Sequence, residues 1–188
     1  MIDMAQSDQV CTFTEKQSAR LLLVGYGNSS RRDDGVAEHI LRRLLERLGL
    51  DPEGVMTDDD IEQREGFGAI LVHQLAPELA ELACRYDVIV FIDAHVAGVD
   101  WQPVEWQAIE PSVQGGMSGH HLKPGVILSL SETLYGRRPE AYMLSVLGHN
   151  FDFGETLTAE TSDLADQAVD RLLGLVDACG LASGKKDE

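Results

Sequence analysis

The side chains best placed to do chemistry in this chain are acidic, and two of them follow a glycine-rich turn. Leu21 to Val24 leads into Gly25-Tyr26-Gly27-Asn28, and after Ser29-Ser30-Arg31-Arg32 comes Asp33-Asp34-Gly35. A third carboxylate, Asp93, ends the apolar run Val88 to Ile92, and His120 and His121 close the segment Gln114-Gly115-Gly116-Met117-Ser118-Gly119. An apolar strand that empties into a turn and a helix start delivers side chains to the carboxyl edge of a sheet, where open α/β folds bind ligands. Paired negative charge there is unlike a phosphate cradle, which uses backbone amides and a lysine. Two carboxylates, from Asp33 or Asp34 and from Asp93, with one imidazole from His120 or His121, suit a borderline divalent ion such as nickel, zinc or iron.

The same residues have structural roles open to them. Asp33 or Asp34 could cap the helix beginning near Val36, one capping while the other binds. Asp93 could accept a backbone amide in the turn after its strand. His73, His95 and His149 also lie near strand ends, so position alone does not single out His120. Other chemistries are excluded by their missing signatures: there is no His-Glu-x-x-His helix and no Gly-x-Ser-x-Gly turn. Gly25-x-Gly27 begins a dinucleotide fingerprint, but Ser30 stands where the third glycine belongs.

The elements that must position these groups alternate between strand and helix. The short apolar runs Leu21 to Gly25, Ala69 to His73 and Val88 to Ile92 read as buried strands, and Val104 to Ile109 and Tyr142 to Leu147 as two more. Val36, Ile40, Leu44 and Leu48 recur at helical spacing, with Arg42, Arg43 and Arg47 facing elsewhere. A second helix starts around Leu75-Ala76-Pro77-Glu78 with proline in its first turn. Pro124 to Tyr135 predicts a third. Leu164, Ala168, Leu172, Leu175 and Cys179 mark one face of a closing helix that stops at Gly180. Asp51 to Gly68, with Asp58, Asp59 and Asp60, reads as a solvated loop without calcium-loop spacing. The expected fold is a single-domain α/β three-layer sandwich: a mainly parallel twisted sheet of about five strands with helices on both faces.

Length and charge narrow the function. The 188 residues suffice for one core, with residues 1–19 a loose N-terminal extension rather than a signal peptide, 20–180 the domain and 181–188 a flexible tail. A net charge of −17 argues against nucleic acid and anionic membranes as partners and favours a basic surface. No apolar run approaches a bilayer span. Cys11, Cys84 and Cys179 lie far apart, which argues against a disulfide framework or a zinc knuckle and for a reducing cytoplasm.

Taken in order, the motifs resemble those of a known family. Gly25-Tyr26-Gly27-Asn28 with Asp33-Asp34-Gly35-Val36 is similar to the opening signature of the maturation endopeptidases of nickel-iron hydrogenases, which remove a C-terminal extension from the hydrogenase large subunit after nickel insertion. Gln74-Leu75-Ala76-Pro77-Glu78-Leu79, Phe91-Ile92-Asp93-Ala94, His120-His121-Leu122-x-Pro124, Leu134-Tyr135-Gly136 and Phe153-Gly154-Glu155-x-Leu157 resemble the branch that serves soluble bidirectional hydrogenases. The likeness spans about residues 20 to 178.

The resemblance implies a cytoplasmic protease whose partner is a nickel-iron hydrogenase large-subunit precursor. It implies that Asp34, Asp93 and His120 contact the metal, with Asp34 and Asp93 the catalytic carboxylates and His121 an alternative third ligand. The nickel is supplied by the substrate, and no permanent metal is expected. Arg32 stands where the family usually has glycine, and Ala37 where it often has another, which implies a stiffer turn. Two further readings compete: a noncatalytic nickel-sensing or docking protein using the same site, and a mononucleotide-binding α/β domain suggested by Gly25-x-Gly27.

Overall fold

A computed structural model of the chain describes residues 19–53, 61–98, 101–113 and 122–181. The predicted extension before Ala19, the tail after Leu181, Asp58 to Asp60, the glycine loop at 114–119, and His120 and His121 lie outside the described residues.

Eleven segments follow one another. They are β1 (Leu21–Tyr26), a 3-10 turn (Arg32–Gly35), α1 (Val36–Arg47), β2 (Glu62–Arg64), β3 (Phe67–Val72), α2 (Leu79–Ala83), β4 (Val88–His95), β5 (Val104–Ala108), α3 (Pro124–Tyr135), β6 (Glu140–Leu147) and α4 (Ala159–Ala178). The six strands form one sheet in the order β2-β3-β1-β4-β6-β5. The four inner strands run parallel, and β2 and β5 close the edges antiparallel to β3 and β6.

The apolar runs form the middle of this sheet because both of its faces are covered. Side chains alternate across the pleat. Leu21, Leu23, Val88, Val90 and Ile92 point toward α1 and α4, while Leu22, Val24, Ile89 and Phe91 point toward α2 and α3. All nine are buried, and each such side chain contributes roughly 1.5–3 kcal/mol on leaving water. The result is the expected three-layer α/β sandwich in a single domain.

The details differ from the expectation where polarity misleads. The sheet has six strands rather than about five, because Glu62–Arg64 pairs with β3 through a hairpin whose turn holds Gly66 at φ +77°. A three-residue polar edge strand carries no apolar pattern to read. β4 runs past Asp93 to His95, and β6 starts at Glu140 so that the two pair along their whole length. α2 occupies only Leu79–Ala83, with Pro77 in the turn before it. No helix among the described residues is long and apolar enough to cross a membrane.

This connectivity places the site. From β1 the chain moves outward through α1 to β3, then returns through α2 to β4 on the other side of β1. Neighbouring strands whose connections leave in opposite directions open a crevice at their carboxyl ends. Here that crevice lies between the ends of β1 and β4, which carry the turn at Gly27 and Asp93.

Candidate functional site

The turn after β1 folds back on itself through short contacts. The Asn28 amide donates to the Asp34 carboxylate at 3.2 Å, the Ser30 amide to the Asn28 side chain at 3.0 Å, and the Asp34 amide to the Arg31 carbonyl at 3.1 Å. Gly27 has φ +137°, a conformation open in practice to glycine. A β-carbon there would lie 2.2 Å from the Asp34 carbonyl oxygen and 3.9 Å from Asp93 Oδ1. Gly27 is therefore the point around which the loop of Asp34 and the strand of Asp93 close.

Asp33 and Asp34, adjacent in sequence, have different surroundings. Asp33 is fully buried and accepts hydrogen bonds from the amides of His149, Asn150 and Thr158 at 2.8, 2.9 and 2.7 Å. The Thr158 hydroxyl donates to it at 2.8 Å, and the Thr161 hydroxyl lies 3.0 Å away. Burial pushes its carboxyl up, but the amide donors outweigh burial and hold it below the ordinary value. Asp33 thus ties the segment between β6 and α4 to the turn. Neither aspartate caps α1, whose N-cap is Gly35 without a side-chain bond. Asp34 is left half-buried, with the Asn28 amide as its partner among the described residues.

Asp93 lies near the end of β4 on the sheet face turned toward α2 and α3. Its Oδ1 accepts the Ala94 amide at 2.8 Å. Burial raises its pKa to about 7, the neighbouring Asp34 charge adds to the rise, and the Ala94 amide and Tyr26 hydroxyl oppose it. Burial and the Asp93 charge in turn push the Tyr26 phenol well above its usual range, so the hydroxyl keeps its proton. That hydroxyl also reaches the Met143 sulfur at 3.7 Å.

Asp93 opens onto a cavity of about 410 Å³ bounded by His95, Trp101, Glu105, Met143 and Ser145. Asp93, His95 and Ser145 share one sheet face by the strand alternation and the pairing of Asp93 with Ser145. His95 is 8% exposed, its Nδ1 lies 2.9 Å from Ser145 Oγ, and its ring packs against Trp101 with centroids 4.9 Å apart. Burial lowers its pKa against the opposing charge of Glu105, and Nε2 has no hydrogen-bond partner among the described residues. The sequence marked His95 only as a strand-end histidine. The signal that finds it is the two-residue period shared with Asp93, once β4 is carried past the carboxylate.

Of the predicted site residues, the Asp34 backbone and the Asp93 carboxylate both lie against Gly27, and the Asp34 charge acts on Asp93; His120 and His121 lie outside the described residues. Among the described residues no group of three or more His, Cys, Asp or Glu side chains is placed to hold a metal ion. Two oxygen donors alone form a weak, open site, able to complete the coordination of an ion held mainly by other ligands. A carboxyl group such as that of Asp93, whose pKa is raised to about 7, can also accept or deliver a proton.

Arg32 has φ +45°, the one positive φ at a non-glycine residue among those described, which fits the glycine preference of this turn noted above. Such a conformation costs on the order of 1–2 kcal/mol.

The fold is shared with solved structures of low sequence identity. The chain is similar to a [NiFe] hydrogenase maturation protease, HybD, from Thermococcus kodakarensis, with 22% identity over 83% of this chain and 98% of that one and a TM-score of 0.58. It is similar to the hydrogenase maturating endopeptidase HybD from E. coli, with 18% identity over 86% and 94% of the two chains and a TM-score of 0.59. The solution structure of an endopeptidase from Escherichia coli matches with 18% identity over 90% and 99% and a TM-score of 0.60. No family model and no curated protein sequence matches the chain.

Proposed function

We propose that this chain is an endopeptidase that removes the C-terminal extension of a nickel-iron hydrogenase large-subunit precursor after nickel insertion, in the branch serving soluble bidirectional hydrogenases. The observation that supports the proposal is the approach of the Asp34 loop and the Asp93 carboxylate around Gly27, at the crevice between β1 and β4, with Asp93 lining an open cavity. The shared fold with proteins named as hydrogenase maturation proteases supports it.

In this reading nickel arrives seated in the substrate, and Asp34, Asp93 and His120 complete its coordination sphere. Three moderate ligands bind an ion weakly by themselves, so affinity arises when the precursor presents the metal. Precursor without nickel is then left uncut. The substrate's nickel polarises the scissile carbonyl or activates a water. One of the two carboxylates accepts the proton that the attacking water loses, and the Tyr26 hydroxyl holds that of Asp93 in place.

The test is incubation of the chain with nickel-loaded large-subunit precursor, followed by mass spectrometry of the intact protein. Loss of a C-terminal peptide supports the enzyme. Tight binding without shortening replaces it with a docking protein.

A further inference from the structure

Seven ion pairs join described side chains, and they engage Arg42, Arg43, Arg47, Arg85, Arg137 and Arg138. Arg31 and Arg32, at the rim of the crevice, take part in none of them. Arg31 Nε donates to the Phe151 carbonyl at 3.1 Å, and the residue is exposed. The Arg32 amide donates to the Gly154 carbonyl at 2.7 Å, and the Gly154 amide to the Ser30 carbonyl at 3.0 Å. The Arg32 side chain then lies along Gly154, where an added β-carbon would meet its Cγ, Nε and Cζ at 3.1, 3.2 and 3.3 Å. Its Nε is buried with no hydrogen-bond partner among the described residues. Next to this pair, Phe153 is 87% exposed.

Each of these features costs free energy in the isolated protein. A bulky residue at φ +45° gives up backbone stability that glycine would retain. A dry Nε has lost its water without gaining a partner. An exposed phenyl ring adds nothing to the core. Together, however, two arginines outside the ion pairs of the described residues and an aromatic ring have the composition of a protein-binding hot spot. The Arg32 side chain is held against the backbone before any partner arrives, so little further ordering is needed. The group that fits an arginine fork is a carboxylate. The net charge of −17 disfavours nucleic acid as the source of that anion.

We propose that Arg31, Arg32 and Phe153 form a docking patch for a carboxylate-bearing segment of the protein substrate, orienting it toward Asp34. The inference rests on the peptidase reading above and adds to it the residues that select the partner. The carboxylate is that of an acidic side chain in this segment.

The experiment measures cleavage of nickel-loaded precursor by the wild-type chain and by Arg32→Gly, Arg31→Ser and Phe153→Ser. Arg32→Gly relieves the positive φ, so its Tm equals or exceeds that of the wild type. The expected result is a KM raised roughly tenfold by Arg32→Gly and by Phe153→Ser, with kcat within about twofold, and a weaker salt dependence of kcat/KM in both arginine variants. Amidating the precursor's C-terminus leaves the wild-type KM unchanged, and a matching rise in KM on amidation overturns the side-chain assignment. Wild-type KM and salt dependence in Arg32→Gly and Phe153→Ser overturn the docking patch while leaving the peptidase reading intact. A wild-type chain that cuts nothing overturns both.

Discussion

Gly27 and Asp34 approach so closely that a β-carbon on the glycine would stand 2.2 Å from the aspartate's carbonyl oxygen. The crevice keeps its shape because that carbon is missing. Gly27→Ala must either push the Asp34 loop away from β4 or force alanine to hold φ +137°. The expected cost is about 3 kcal/mol or more, with precursor cleavage reduced on the order of 100-fold because a 1 Å displacement already disrupts alignment. Urea unfolding and cleavage rates measured on one preparation check both effects.

Asp33 is a structural anchor, and its removal tests that assignment. Asp33→Ala leaves three amides and the Thr158 hydroxyl without their acceptor and lowers stability by about 3–5 kcal/mol at pH 7. Because the folded carboxyl sits below its ordinary value, its contribution is fully present above the unfolded pKa of about 3.9 and is lost as pH falls through the folded pKa. The stability gap between wild type and variant therefore narrows in acid. Denaturant titrations at pH 7 and pH 3 measure it.

Asp93 has the opposite linkage. Its folded pKa is raised to about 7, so between about pH 4 and pH 7 the unfolded chain ionises while the folded chain keeps the proton. Stability falls across that window as pH rises and is level above it. Asp93→Asn escapes the penalty: it is more stable than the wild type at pH 8, by about 2–4 kcal/mol, and by less at pH 5. The same variant cleaves no precursor. Thermal melts at the two pH values and a cleavage assay separate the stability effect from the chemistry.

Much of this arrangement was legible in the sequence because it is local. The Pro124–Tyr135 helix carries proline at its start and Gly136 just beyond its end, in the left-handed conformation at φ +66°. The strands β1 and β4 are continuous apolar runs, and Asp93 follows one of them directly. What stayed illegible depends on distant partners. Nothing near Asp33 distinguishes it from Asp34, since its donors stand 116 to 128 residues further along the chain. Asp93 and His95 read as the end of a strand, yet pairing with β6 carries β4 through both. Glu62–Arg64 shows no strand pattern because it is short, polar and at an edge.

Substitution of the proposed ligands probes function with little effect on the fold. Asp34→Ala removes a half-buried carboxylate bound to one amide, and its Tm stays within a few degrees of the wild type. Asp34→Ala and His120→Ala each slow precursor cleavage by about 100-fold or more if these residues read the substrate's nickel. Cleavage at the wild-type rate by both variants removes them from the site.

The central claim is that Asp34 and Asp93 act as one metal-reading pair at the crevice between β1 and β4. Crystals soaked with nickel or cadmium test it most directly through anomalous scattering. The account predicts one ion bound by carboxylate oxygens of both aspartates, with His120 as a third ligand, at bonding distances of roughly 2.0 to 2.3 Å. Ions bound elsewhere, or the two carboxylates holding separate ions, would contradict it.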